Sequence, residues 1–170
     1  MQNEEVLEVT QEMRNQVSEI NDTARQQQAF HNHVTTKVKN HEALEDNEIK
    51  YLCPVAFKSK MSTQEIADLG LSTYYSFVPT VNVIQDLQSM GWNCVDAKQV
   101  QARKKSTKGY QKHLLTFEHP KYKIEGAEEY PQLLLTNSHD GGNAFQLSAG
   151  IFRLVCSNGL VIKTEDYGTQ

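Results

Sequence analysis

No stretch of this sequence approaches the ~18–20 consecutive apolar residues needed to cross a bilayer as a helix, so a helical membrane protein is not expected. Cysteine is sparse. Cys53, Cys94 and Cys156 are odd in number, widely spaced and set among apolar or aromatic neighbours. A structural zinc site wants CxxC-type pairs, so these thiols are expected to be buried and inert, and no metal is expected. A Walker-type loop and a GxGxxG string are both missing, which removes the common phosphate cradles, and no cofactor is expected. The opening MQNEEVLEVT has neither the basic start nor the apolar centre of a secretory signal, so a cytoplasmic protein is expected. There is no internal repeat, and no low-complexity tract beyond Gln26-Gln27-Gln28.

What is present is one ordinary domain with an appendage. At 170 residues the chain can bury a single core, and 38% hydrophobic against 22% charged residues makes it globular but polar. The formal charge of -4 is unevenly placed. Residues 1–50 carry five Lys or Arg against ten Asp or Glu, which leaves twelve (17 − 5) against eleven (21 − 10) in residues 51–170. The body is therefore near neutral once the acidic leading segment is set aside.

Residues 4–28 contain no Pro or Gly, and Val6, Val9, Met13, Val17, Ile20 and Ala24 recur at intervals of three or four. That spacing predicts a helix with a thin apolar stripe, suited to docking on its own domain or to a homo-oligomer through a partner helix. Residues 31–50 keep a helical tendency until Pro54 interrupts it, so residues 1–50 are expected as a helical extension and 51–170 as an α+β domain. Tyr74-Tyr75-Ser76-Phe77-Val78 is β-prone. Pro79 ends that run, and Thr80 offers an N-cap for a helix carrying Val83, Ile84, Leu87 and Met90 on one side, with Gly91 as its C-terminal stop.

Residues 92–103 and 110–118 read as two strands joined by the polar loop Lys104-Lys105-Ser106-Thr107-Lys108-Gly109. A second loop, residues 120–130, leads to a strand at 132–137 whose Leu133-Leu134-Leu135 implies burial on both faces. The Asp140-Gly141-Gly142-Asn143 cluster accepts positive φ and reverses the chain through residues 144–148. Residues 149–156 suit either a buried strand or a short helix, with Asn158-Gly159 favouring the helix. The expected fold is thus α+β, an antiparallel sheet of three to five strands with helices on one face, preceded by a helical extension. Leu134, Phe145, Ile151, Phe152 and Leu154 are expected in its core.

The strings STYYSFVPTVNVIQDLQSMGW, GYQKHLLTF, LLLTNSHDGGNAFQL and GIFRLVCSNGLVI, beginning near YLCPVAF, resemble in that order the phage- and plasmid-borne family of the YfjQ and YafZ type. The likeness covers roughly residues 51–165, and family members look as though they continue past the SNGLVI motif, so this chain resembles an amino-terminal portion. The resemblance implies a mobile element in a bacterial cytoplasm, and hence jobs such as recombination or replication accessory or interference with host defence. It carries no agreed activity.

The chemistry most visible in the residues is a basic stretch. Residues 98–123 hold Lys98, Arg103, Lys104, Lys105, Lys108, Lys112, Lys121 and Lys123 against one acid, Glu118. On a hairpin, Lys98, Arg103, Lys104, Lys105, Lys108 and Lys112 would meet phosphates while Tyr110 and His113 contact bases, as sequence-indifferent single-strand binders do. Arg153 is expected to pair internally. A lysine-rich tip also serves simply to guard a sheet edge. The order helix, hairpin, strand, helix loosely resembles single-strand annealing proteins of the RecT and Red-beta type, a likeness of fold that does not fix function.

An enzyme is the weaker reading. Asn137, Ser138, His139 and Asp140 line up a hydroxyl, an imidazole and a carboxylate, but neighbours on a strand end point in alternating directions, and a polar turn explains the same residues. His31-Asn32-His33 matches the HNH nucleases in letters only, since those residues are dispersed through a metal fold. The alternative to nucleic acid is a non-enzymatic inhibitor that binds a host defence protein.

Overall fold

The computed structural model describes residues 2–123, 131–154 and 161–169, with side chains described for residues 12–123 and 131–151. The chain divides into two compact units, Met1–Asn40 and His41–Gln170. The division falls about ten residues before the expected boundary at 50/51, because residues 41–50 already belong to the second unit: Leu44 N–H donates to Cys94 O at 2.8 Å.

The first unit is one helix, α1, Gln2–Lys39. Its Pro- and Gly-free sequence allows an unbroken run, and Met13, Val17 and Ile20 of the stripe are 61%, 56% and 66% exposed. In the second unit come α2 (Asp46–Leu52), a 3-10 turn at Pro54–Phe57, α3 (Thr63–Asp68) and α4 (Thr80–Ser89). Strands β1 (Asn93–Gln99), β2 (His113–Glu118), β3 (Pro131–Asn137), β4 (Gln146–Leu154) and β5 (Val161–Thr169) follow.

The five strands form one antiparallel sheet in chain order. Every strand therefore pairs with its sequence neighbour, which keeps connections local. The register sets Ala97 opposite Leu115 and Leu115 opposite Leu135, while Cys94 faces Phe117 across a bulge-containing pair. These five side chains share one face by the two-residue period of a strand, with the bulge between Cys94 and Asp96 allowed for, and are buried. α2 and α4 pack against β1, and Ile49, Ile84 and Leu87 bring their apolar sides to the same core.

Several expectations are corrected. Residues 149–154 are strand, because β3 pairs with them as far as Ile151 and β5 pairs along Gly150 to Leu154, and that pairing outweighs a local helix signal. The likeness in element order to annealing proteins thereby loses its final helix. The run 74–78 finds no partner strand; Tyr75 N–H and Tyr74 N–H turn back to the carbonyl and hydroxyl of Ser72, and Tyr74 is 94% exposed. Phe145 precedes β4 and is 37% exposed, so it is not core. Leu134 is buried and Ile151 half-buried. The side chains of Phe152, Arg153, Leu154 and Cys156 lie outside the described residues.

Pro79 occupies the cap position of α4 without a side-chain bond, and Thr80 is the first helical residue, its hydroxyl engaged elsewhere. Gly91 does end the helix, at φ +88. Cys53 and Cys94 are buried, and burial raises both thiols, Cys53 to about 11. Neither is a thiolate near neutral pH.

Candidate nucleic-acid interface

The strands of the first hairpin are shorter than the sequence suggests, so the connection between β1 and β2 is longer, spanning residues 100–112. Val100 N–H donates to Lys112 O at 3.0 Å and closes its base. A 3-10 turn, Lys105–Thr107, makes the tip. Gly109 then takes φ +93, which a side chain would strain, and its N–H donates to Gln111 Oε1 at 2.6 Å.

This compact loop gathers the cations. Arg103, Lys104, Lys105, Lys108 and Lys112 are all exposed. Among the described residues none of the five has a carboxylate within ion-pair distance. Lys98 differs: it lies on β1, half-buried, with its ammonium 2.6 Å from Asp96 Oδ2. The acid of the basic stretch, Glu118, is also held. It is buried, accepts from Gln132 Nε2 at 2.8 Å, and stands 2.6 Å from His41 Nδ1 and 3.9 Å from Lys123 Nζ. The bond to Glu118 raises the pKa of His41 above its ordinary value, against the opposing effect of burial.

Neither aromatic residue assigned to bases is presented to solvent as expected. The Tyr110 hydroxyl donates to Glu65 Oε1 at 2.5 Å. The Lys58 ammonium sits 2.7 Å from the same oxygen and 4.5 Å from the centre of the Tyr110 ring. Glu65 is fixed in turn by the capping box of α3: Ser62 N–H donates to Glu65 Oε2 at 2.7 Å and Glu65 N–H donates to Ser62 Oγ at 3.2 Å. The hydrogen bond from Lys58 and those from Ser62 and Tyr110 hold the Glu65 carboxyl well below the usual carboxylate range. For Lys58, desolvation pulls downward but the bond to Glu65 and its neighbours win, and its pKa is raised. Tyr110 is thus an anchor for the end of the loop.

His113 is buried and cannot reach a base. Its Nδ1 lies 3.0 Å from Gln111 O, an acceptor, so Nδ1 carries the proton. Nε2 therefore accepts from the Thr80 hydroxyl at 2.8 Å, and Thr80 Oγ1 accepts from Asn137 Nδ2 at 2.9 Å. This chain ties β2, β3 and the start of α4 together, and Asn137 Nδ2 also lies 3.1 Å from Val78 O. Hydroxyl and imidazole are paired as in a nucleophile and base, but Thr80 and His113 are both buried, and the arrangement is structural.

The row 137–140 is a turn. Ser138 Oγ accepts from Asn143 N–H at 2.8 Å and donates to Asn143 O at 3.1 Å. Asn137 Oδ1 accepts from Ser138 N–H, and Asp140 Oδ1 from Gly142 N–H. His139 is different: it is fully buried, 5.1 Å ring to ring from His113 and 4.7 Å from Phe77. Neither of its ring nitrogens makes a hydrogen bond of proper geometry. Burial, then the neighbouring His113 and Lys58, push its pKa down to about 4, against a small upward effect of the Val55 backbone and Asp140.

Two features escaped the sequence reading. The Ser62-x-x-Glu65 capping box was legible as a pattern and would have placed Glu65 at a helix start. The meeting of Trp92, His119 and Tyr122 at the far end of the β1–β2 pair had a signal only in the register, since Asn93 faces Glu118. His31 and His33 lie within α1. Among the described residues no group of three or more His, Cys, Asp or Glu could hold a metal ion, and no helix is long and apolar enough to cross a membrane.

Comparison with known proteins places these features in a family. Two Escherichia coli (strain K12) proteins, UPF0380 protein YafZ and UPF0380 protein YfjQ, are each 36% identical over 90 residues, which is 53% of this chain and 32% of each relative. The matched segment thus spans about a third of the length of these curated relatives. No solved structure matches. Residues 70–170, which include β1 to β5 and the cationic loop, match the family described as Domain of unknown function (DUF932), and the chain belongs to it.

Proposed function

We propose that this chain binds nucleic acid, preferably single-stranded DNA, through the loop of residues 100–112, as a recombination or replication accessory of a phage or plasmid. The observation that carries the proposal is the set of five exposed cations, Arg103, Lys104, Lys105, Lys108 and Lys112, on one anchored loop without carboxylate partners among the described residues. Unpaired ammonium and guanidinium groups keep their full attraction for phosphate and gain from counterion release. Anchoring by Tyr110 and Gly109 limits the ordering cost at binding.

Lys98 is a weaker phosphate contact in this proposal because Asp96 already neutralises it. Tyr110 positions the loop, and His113 supports β2 from within. A gel-shift series with single-stranded and duplex oligonucleotides at two salt concentrations tests the reading. Binding that weakens with salt and favours the single strand supports it. A chain that ignores both oligonucleotides and instead captures a host defence protein overturns it.

The exposed stripe Met13, Val17 and Ile20 supports self-association of α1 with a second copy. These residues recur at helical spacing on one side, and covering them removes apolar area from water.

A further inference from the structure

Trp92, His119 and Tyr122 form a ring cluster at the end of the β1–β2 pair opposite the cationic loop. Trp92 and His119 meet edge-on at 5.4 Å between centroids, His119 and Tyr122 lie 4.9 Å apart, and Trp92 and Tyr122 6.0 Å. The backbone is shaped for this meeting. Gly91 takes φ +88, and a Cβ on it would stand 2.8 Å from His119 Nε2, so only glycine lets the imidazole close over the chain there. His119 Nδ1 accepts from Lys121 N–H at 3.1 Å and starts the 3-10 turn Pro120–Tyr122, which turns Tyr122 outward, 47% exposed.

None of the three rings is among the buried core residues. Trp92 and His119 are half-buried, with Tyr122 and Lys121 exposed beside them. The Lys121 ammonium lies 6.0 Å from the Tyr122 ring centre, at the outer range of cation–π attraction. The adjacent acid, Glu118, is already satisfied by His41, Gln132 and Lys123, so it offers little repulsion to a phosphate. The exposed Tyr122 ring, with the part-exposed edges of Trp92 and His119 and a cation beside it, matches what an unpaired base with its phosphate requires: a π face to stack on and a positive charge near the backbone.

We infer that Trp92, His119 and Tyr122 are a stacking site for unpaired bases of a single strand whose phosphates are held by the residue 100–112 loop. The inference rests on the proposed nucleic-acid reading and names the element that selects single strands, since duplex bases expose no face. The two contacts stand at opposite ends of β1, whose seven residues span roughly 20 Å at ~3.3 Å each.

The test compares a thymidine homopolymer with an abasic strand of the same length, which keeps the phosphates and lacks the bases. Trp92 is the single tryptophan of the sequence, so its fluorescence reports on the cluster alone. The expected result is quenching by the thymidine strand and not by the abasic one, about tenfold weaker affinity for the abasic strand, and a Tyr122→Ala variant that loses the same factor for the thymidine strand only. Equal affinity for both strands with unchanged fluorescence overturns the stacking site and leaves the loop reading standing. Failure of the wild-type protein to bind either strand overturns both.

Discussion

Tyr110 and Glu65, which stand in the cationic loop and in α3, are joined by a 2.5 Å hydrogen bond from phenol to carboxylate. Through it the end of the loop is fastened to a helix that the sequence places forty-five residues earlier. The same carboxylate is neutralised by Lys58, so an anion sits beneath the loop without cancelling its cations.

Replacing Tyr110 by Phe removes the bond and keeps the ring beneath Lys58. The expected outcome is a fold that survives, with single-strand affinity lowered by less than about tenfold because the bond is partly shared with solvent. The salt dependence of binding should not change, since no cation is lost. A steeper or shallower salt dependence in this variant would contradict the anchoring role.

His139 and His113 predict acid sensitivity. Both are buried, and burial lowers the pKa of each, His139 to about 4 against an ordinary 6.5. The unfolded chain therefore takes up protons below about pH 6.5 that the native chain refuses until about pH 4, and stability falls as pH falls through that window. For His139 the loss amounts to about 3 kcal/mol, taking ~1.36 kcal/mol per pH unit. Urea unfolding at pH 7 and pH 5 should register about 2 kcal/mol of it, and His139→Phe should flatten the dependence without lowering stability at pH 7, because it removes a buried polar group that has no hydrogen-bond partner of proper geometry.

Core positions separate cleanly by burial. Leu135→Ala and Leu115→Ala, both at fully buried sites, are expected to cost ~2–5 kcal/mol in chemical denaturation. Phe145→Ala, at a site more than a third exposed, is expected to cost less than about 2 kcal/mol.

Asp substitutions at Met13, Val17 and Ile20 together place charge on the stripe of α1. Sedimentation velocity should show the wild-type chain associating with concentration and the triple variant remaining monomeric. Identical profiles for the two proteins would remove α1 as the contact between copies.

Local signals in the sequence were read correctly where local physics decides. The Pro- and Gly-free stripe predicted α1, Val83, Ile84, Leu87 and Met90 with Gly91 predicted α4, and two runs joined by the polar loop 104–109 predicted the pairing of β1 with β2. Reading failed where distant partners decide. Tyr74 to Val78 has strand-forming residues but no neighbouring strand, while residues 149–154, for which Asn158-Gly159 favoured a helix, are captured by β3 as far as Ile151 and by β5 as far as Leu154. In the candidate site the cluster of lysines was legible as composition. The roles of Tyr110 and His113 were not, because one is fixed by Glu65 and the other by Thr80, contacts separated by 45 and 33 residues.

Affinity for a single-stranded oligonucleotide measured across a salt series is the most direct test of the cationic loop. Five phosphate contacts at about −0.7 each give a slope of about −3.5 in log affinity against log salt, and the variant Lys104→Glu, Lys105→Glu, Lys108→Glu should lose binding while its thermal unfolding stays that of the wild type, since all three side chains are exposed. Undiminished binding by that variant, or a wild-type affinity indifferent to salt, would contradict the account.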